Sequence, residues 1–217
     1  MSLLINTISA IGNNSSIYPL LVRDCGIEVP TKIVQTYNQN KKESGAMQKN
    51  LIIYYSRRGT NYVNGEILDL PVGNTELCAR YIQEAVGGDL FEVRTKVPYS
   101  LDYKECTRQA WKEVQDNARP LLETYLEDVS GYDNIFVLGP CWCGTYPMAV
   151  FSLLDRLDLT GKKLFPLMTH EGSGMGNSER DLRRLYPKAS FGTGMAIHGA
   201  DAKKAQQAVA DWAKKNI

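Results

Sequence analysis

Three loops carry the residues whose types and spacing can do chemistry. The first holds Ser56-Arg57-Arg58-Gly59-Thr60-Asn61 and, further on, Gly73-Asn74-Thr75-Glu76. Hydroxyls and the N–H groups that open a helix can ring an anion such as a phosphate. Taken alone, Gly73-Asn74-Thr75 reads more readily as an ordinary helix start capped by Asn74 or Thr75. The second loop, Gly139-Pro140-Cys141-Trp142-Cys143-Gly144-Thr145-Tyr146-Pro147, sets an indole between two thiols. A flat ligand can pack there, although a tryptophan at a strand end is also a common core residue. The third, Thr169-His170-Glu171-Gly172-Ser173-Gly174-Met175-Gly176-Asn177-Ser178, offers successive N–H groups to the polar edge of a ring. Its plainer reading is a surface turn with Ser178 capping the next helix.

Several chemistries are excluded. No G-x-x-x-x-G-K-[ST] sequence is present, so the first loop is not a nucleotide P-loop. No G-x-G-x-x-G follows the first strand, which argues against a dinucleotide fold. Cys141 and Cys143 lack a second cysteine pair, and His170 and His198 are the only imidazoles, so no metal site is expected. Cys143 reads as a small apolar filler, Cys78 and Cys106 as structural residues on helices, and His198 as a surface or hydrogen-bonded side chain. The Arg57-Arg58 pair reads as solvated surface charge.

The elements that must position these loops alternate. Leu51–Tyr55 and Asn134–Leu138 are continuous apolar runs, the pattern of strands buried on both faces. Leu90–Val93, Lys163–Met168 and Gly194–Ile197 are further strands, with Pro166 an objection to the second of these. Helical spacing covers Thr75–Val86, Tyr103–Asn117, Ala149–Leu157, Glu179–Leu185 and Asp201–Asn216. Strand and helix in alternation predict βαβ units and a doubly wound parallel sheet of five strands. Ligands of such a sheet bind outside the carboxyl ends of the strands, where all three loops fall. The exit of the second strand, Lys96-Val97-Pro98-Tyr99, lacks their composition.

Of the 217 residues, 43% are hydrophobic, enough for one sizeable core. Lys and Arg number 25 against 24 Asp and Glu, a net charge of +1, which gives no electrostatic reason to expect nucleic acid. No apolar run reaches the roughly 20 residues that span a bilayer. Five cysteines in a chain of this size suggest reduced thiols and a cytoplasmic protein. Residues 1–46 differ in texture, with an apolar face through Leu3, Leu4, Ile8 and Ile11 and a polar linker near Asn38–Ser44. They are set apart from a domain at 47–217; Gly45-Ala46-Met47 marks either a cloning remnant or a fusion junction.

A strand ending in Ser, a Gly-Asn-Thr helix start, a Pro-x-Trp-x-Gly-Thr-x-Pro loop and a Thr-His-x-Gly-Ser-Gly loop, in that order, resemble the flavodoxin-like FMN-binding proteins. The likeness is to the bacterial flavodoxin branch with Trp in its second loop, and it covers about residues 49–216. The resemblance implies a five-stranded sheet of order 2-1-3-4-5 and noncovalent FMN. By position it implies that Ser56, Gly73, Asn74 and Thr75, with Arg57 adding charge, hold the phosphate, Thr60 with Gly59 being the competing assignment. Pro140, Cys141, Trp142, Cys143 and Gly144 would line the ring, and Thr169, His170, Gly172, Ser173 and Gly174 its pyrimidine side. Glu171 is placed to control access or charge near the flavin.

Three features depart from that family. Residues 57–72 are inserted between the Ser and the Gly-Asn-Thr, with turn signals at Asn64-Gly65 and a small strand at Ile67–Leu70. The insertion is expected to cover the cofactor or to supply a homodimer contact. The family's Trp-Trp is Trp142-Cys143, which opens space beside the ring. The near-neutral charge does not support steering onto a basic redox partner. The expected function is electron transfer through FMN between protein partners. The alternatives are an oxidoreductase passing hydride from NAD(P)H to a quinone or similar small acceptor, and a non-redox scaffold.

Overall fold

The computed structural model describes residues 49–217. The expectations for residues 1–46 lie outside the described residues. Strand β1 (Asn50–Tyr54) is buried at every position and pairs in parallel with β4 (Asp89–Glu92) on one side and β5 (Asn134–Pro140) on the other. Strand β5 pairs in parallel with β6 (Lys163–His170), which carries β7 (Ser190–Phe191) and β8 (Met195–His198) on its far side. The order β4-β1-β5-β6-β7 is the expected 2-1-3-4-5.

Period-two alternation sends successive residues of each strand to opposite faces, so one apolar run serves two cores. Leu51, Ile53, Ile135 and Val137 pack on one face with helix α3 (Met148–Leu154) and with Leu182 of helix α4 (Ser178–Leu185). Ile52, Tyr54, Phe136 and Phe165 pack on the other with Cys78 and Ile82 of helix α1 (Asn74–Val86) and Val209 of helix α5 (Gln206–Asn216). Helix α2 (Tyr103–Gln115) starts at Asp102, whose carboxylate accepts from the N–H of Glu105 at 2.7 Å.

Three expectations need correction. The fifth strand is split, and the break falls opposite Phe165 and Pro166, where proline has no N–H to give the ladder. Gly192 sits in the break, and a Cβ there would come within 2.3 Å of the Phe165 ring. The closing helix is also divided, into a 3₁₀ turn (Gly199–Lys204) and α5, with buried Ala202 and Ala205 drawing the chain onto the sheet. Ser178 does not cap α4: Asn177 occupies that position, and the Ser178 hydroxyl donates to the carbonyl of Met175.

The insertion forms a hairpin of its own, β2 (Gly59–Val63) antiparallel to β3 (Glu66–Leu70) and separate from the main sheet. Asn64 (φ 49°) and Gly65 (φ 94°) make its turn, the conformation an Asn-Gly pair adopts most readily between paired strands.

Phe165 stacks at 4.8 Å on Phe136 and supports Gly192 at the strand break. Phe165→Ala is expected to cost about 3–5 kcal/mol, read as a lower urea midpoint with cooperative unfolding retained.

Candidate functional site

The three loops meet at the carboxyl ends of β1, β5 and β6 around a cavity of about 330 Å³. Of the predicted residues, Arg57, Asn74, Thr75, Pro140, Cys141, Trp142, Cys143, Thr169, His170 and Ser173 line it. Ser56, Gly73, Gly144, Gly172 and Gly174 do not reach its wall, nor does the alternative Thr60.

Ser56 and Gly73 instead fix the wall from behind. The Ser56 hydroxyl accepts from the N–H of Glu76 at 3.0 Å, so the first turn of α1 is capped from β1 and not by Asn74 or Thr75. Gly73 lies so close that a Cβ would stand 2.2 Å from Ser56 Oγ and 2.4 Å from the carbonyl of Arg57. Leu77 N–H donates to the carbonyl of Gly73. Among the described residues, the N–H groups of Asn74 and Thr75 meet no acceptor, as the opening turn of a helix leaves them. They stand at the cavity and carry the positive end of the helix dipole, a donor set suited to an anion. Thr75 Oγ1 and Thr169 Oγ1, 2.8 Å apart and both buried, tie the first loop to the third.

The second loop is a two-residue reversal. Trp142 N–H donates to the carbonyl of Thr145 at 2.8 Å, and Thr145 N–H to that of Trp142 at 3.1 Å. Cys143 (φ 51°) and Gly144 (φ 86°) both take left-handed backbone between them. The size of Cys143 is therefore only part of its role; it also occupies a conformation most side chains avoid. The Gly144 carbonyl accepts from Asn177 N–H at 2.6 Å and locks the second loop to the third. Trp142 stands edge-on to Tyr55 (5.2 Å) and Tyr99 (5.1 Å), so it packs as a core tryptophan does while also lining the cavity.

Charge at the site is restrained. Burial raises the thiols of Cys141, Cys143 and Cys106 above their ordinary range and keeps them protonated at neutral pH. Burial, then the neighbouring His198, lowers His170, against a smaller opposing pull from Glu171. Gly172 N–H donates to His170 Nδ1 at 3.0 Å, which leaves the proton of the neutral ring on Nε2.

Arg57 is not the solvated surface charge that the sequence suggests, whereas Arg58 stays exposed but is ion-paired. Arg57 is buried, and its guanidinium donates to the carbonyls of Thr60, Ser100 and Leu101. Arg58 bridges Glu92 (2.6 Å) and the buried Glu76 (2.8 Å). The insertion imposes this, because its root must be pinned to the body of the fold.

Sequence reasoning missed one wall of the cavity. Tyr103, Cys106, Thr107 and Ala110 of α2 line it, at the spacing of a single helix face. That spacing was visible, but the strand exit ahead of it lacked the glycines and hydroxyls of the other loops. Tyr99, in that same exit, packs against Trp142. Asn61 and Tyr62 of the hairpin close another side, with Tyr62 stacked on Tyr103 at 6.1 Å. Gly199 completes the wall beside Asn74, and Glu171 stands in it. Among the described residues, no group of three metal-ligating side chains converges, and no helix is long and apolar enough to cross a membrane.

Two outcomes follow from this geometry. Gly73→Ala must displace a hydroxyl and a backbone carbonyl, and is expected to lower stability by about 1–3 kcal/mol in urea unfolding. Because a raised thiol pKa means less thiolate, Cys141 and Cys143 should alkylate more slowly than a free thiol at neutral pH and accelerate only in alkali. Mass-spectrometric labelling across pH checks this, and rapid labelling at neutral pH would contradict it.

No curated protein matches the chain. A candidate flavoprotein of known structure from Bacteroides eggerthii is 26% identical with a TM-score of 0.62, over 77% of this chain and 97% of that one. One from Bacteroides uniformis is 25% identical with a TM-score of 0.59, over 75% and 97%. A flavoprotein from Lactobacillus acidophilus, solved in complex with FMN, shares the fold at 21% identity and a TM-score of 0.52, over 72% and 97%. Residues 70–216 match the sequence profile of the flavodoxin family, and the chain belongs to that family.

Proposed function

We propose that the protein is a redox flavoprotein that moves electrons through noncovalently bound FMN. One observation carries this reading: the free N–H groups of Asn74 and Thr75 and the indole of Trp142 line the same cavity at the switch point of the sheet. An anionic group and a flat ring joined by a short chain fit that donor set. Asn74 and Thr75 would hold the phosphate, with Ser56 and Gly73 fixing the turn that presents them. Pro140, Cys141, Trp142 and Cys143 would border the ring, with Gly144 holding their turn. Thr169, His170 and Ser173 would meet its polar edge, with Gly172 and Gly174 shaping that loop. Bound FMN supplies the electron-transfer chemistry itself. The residues contribute orientation, exclusion of water by Tyr62, Tyr103 and Trp142, and a proton held on His170 Nε2.

Family membership supports an electron carrier serving a redox partner protein. One observation favours the second reading, an oxidoreductase using NAD(P)H and a quinone-like small acceptor: the hairpin and α2 wall the cavity with Tyr62 and Tyr103. A cytoplasmic location belongs to either reading, supported by the free thiols of Cys78, Cys106, Cys141 and Cys143.

The purified protein, as isolated or after adding FMN, is expected to show the visible bands of protein-bound flavin and to release FMN on heating. A colourless protein that neither perturbs nor retains FMN would overturn the reading. Trp142→Ala is expected to weaken FMN binding about tenfold in a fluorescence titration. Mixing the loaded protein with NAD(P)H separates the two roles: a carrier reacts slowly, an oxidoreductase bleaches at once and turns over when a quinone is added.

A further inference from the structure

The hairpin β2–β3 is separate from the main sheet and meets the domain through Arg57 on the Thr60 carbonyl, Tyr62 stacked on Tyr103, and Leu70 at its base. Asn61 and Tyr62 face the cavity, Leu70 is buried at the base, and Glu66 through Asp69 are exposed. Leu70 is its one buried apolar side chain, while Tyr62, Ile67 and Leu68 are exposed, the profile of a segment that opens more easily than the core. At its far end, the backbone N–H of Asn64 donates to Glu171 Oε2 at 2.7 Å, across 107 residues of sequence. Glu171 comes from the third loop and is itself confined. His198 Nε2 stands 3.7 Å from the same carboxylate oxygen. Beneath it lies Gly199, where a Cβ would fall 2.0 Å from Glu171 Oε1 and 2.8 Å from Asn74 Nδ2. The carboxylate is thus wedged between Gly199 and the hairpin tip, and only a residue without a side chain leaves room for it.

We propose that Glu171 is a positioning residue that clasps the inserted hairpin over the cavity, so that the flavin enters and leaves only when the clasp opens. The second half of this statement rests on the FMN reading given above; the clasp itself does not. The carboxylate acts as a hydrogen-bond acceptor for one backbone N–H, and its charge is secondary. Glutamine keeps an oxygen at the same reach, while alanine removes it.

Amide hydrogen exchange on the full chain, read at Asn64 and along β2–β3 with and without FMN, tests the clasp. Glu171→Ala is expected to speed exchange in the hairpin about tenfold while the strands of the main sheet keep their protection. Glu171→Gln should stay within about twofold of the parent, since a neutral acceptor retains most of the bond. Gly199→Ala, which leaves Glu171 in place but takes its space, should behave like Glu171→Ala. Unchanged exchange in Glu171→Ala overturns the clasp. Equal acceleration in the Ala and Gln variants also overturns it, because charge would then be the cause. FMN release, followed as recovering flavin fluorescence after dilution, should quicken in step with hairpin exchange. Faster hairpin exchange with unaltered release would overturn control of access. If the parent chain retains no FMN, the FMN reading fails and control of access with it, while the exchange data still decide the clasp.

Discussion

The structure depends on returning the chain to one point. Ser56 leaves β1, the chain runs through residues 57–72, and Gly73 must then arrive against the Ser56 hydroxyl and the Arg57 carbonyl. Only there can Ser56 accept from Glu76 and aim the first turn of α1 at the cavity. Closing a loop of that length costs entropy that grows slowly with its length, so the insertion is tolerable if its ends are held. Arg57 and Arg58 hold them. A buried guanidinium is costly unless its donors are satisfied, and Arg57 donates to three carbonyls, those of Thr60, Ser100 and Leu101. The pair that looks like loose surface charge is what lets a hairpin sit inside a turn that leaves no room for a Cβ at Gly73.

The same economy of contacts runs through the loops. Hydrogen bonds tie each to another: Thr75 to Thr169 in a buried pair, the Gly144 carbonyl to Asn177 and Cys141 N–H to the Thr169 carbonyl, and Asn64 to Glu171 near the surface. The three loops brace one another at the cavity, although none of them is a regular element. Trp142 shows the principle at one side chain. Its edge contacts with Tyr55 and Tyr99 fix the ring, and Tyr99 is fixed in turn by its hydroxyl on Glu113 at 2.7 Å. That carboxyl, raised by burial, sits in half-dry surroundings where a hydrogen bond gains strength.

The sheet's strands and most of its helices were legible in the sequence, because runs such as Leu51–Tyr55 and Asn134–Leu138 admit little but a strand buried on both faces, while the strand order came from the family resemblance. The three loops were legible because glycines and hydroxyls cluster where backbone must approach closely, as at Gly73. What escaped were contacts between segments far apart in sequence. Nothing near Ser56 announces that it caps a helix starting beyond an insertion, and nothing in Gly59–Val63 shows that it pairs with Glu66–Leu70 except the Asn64-Gly65 turn between them. The α2 wall was hidden by its polarity, since Tyr103, Cys106, Thr107 and Ala110 form a face too mixed to stand out as either core or site.

The broken fifth strand has a consequence for the molecule's behaviour in a crowded solution. A parallel sheet of this kind ends in two open edges, each a row of unpaired N–H and C=O groups that another chain can extend into an aggregate. Here one edge is cut into two short pieces by Gly192–Gly194, and the other, β4, is only four residues long, begins with Asp89 and ends with Glu92. Neither offers a straight template long enough to recruit a neighbour. The proline that interrupts the ladder thereby protects the sheet from association along its own edge, a service to solubility performed by what looks locally like a defect in the strand.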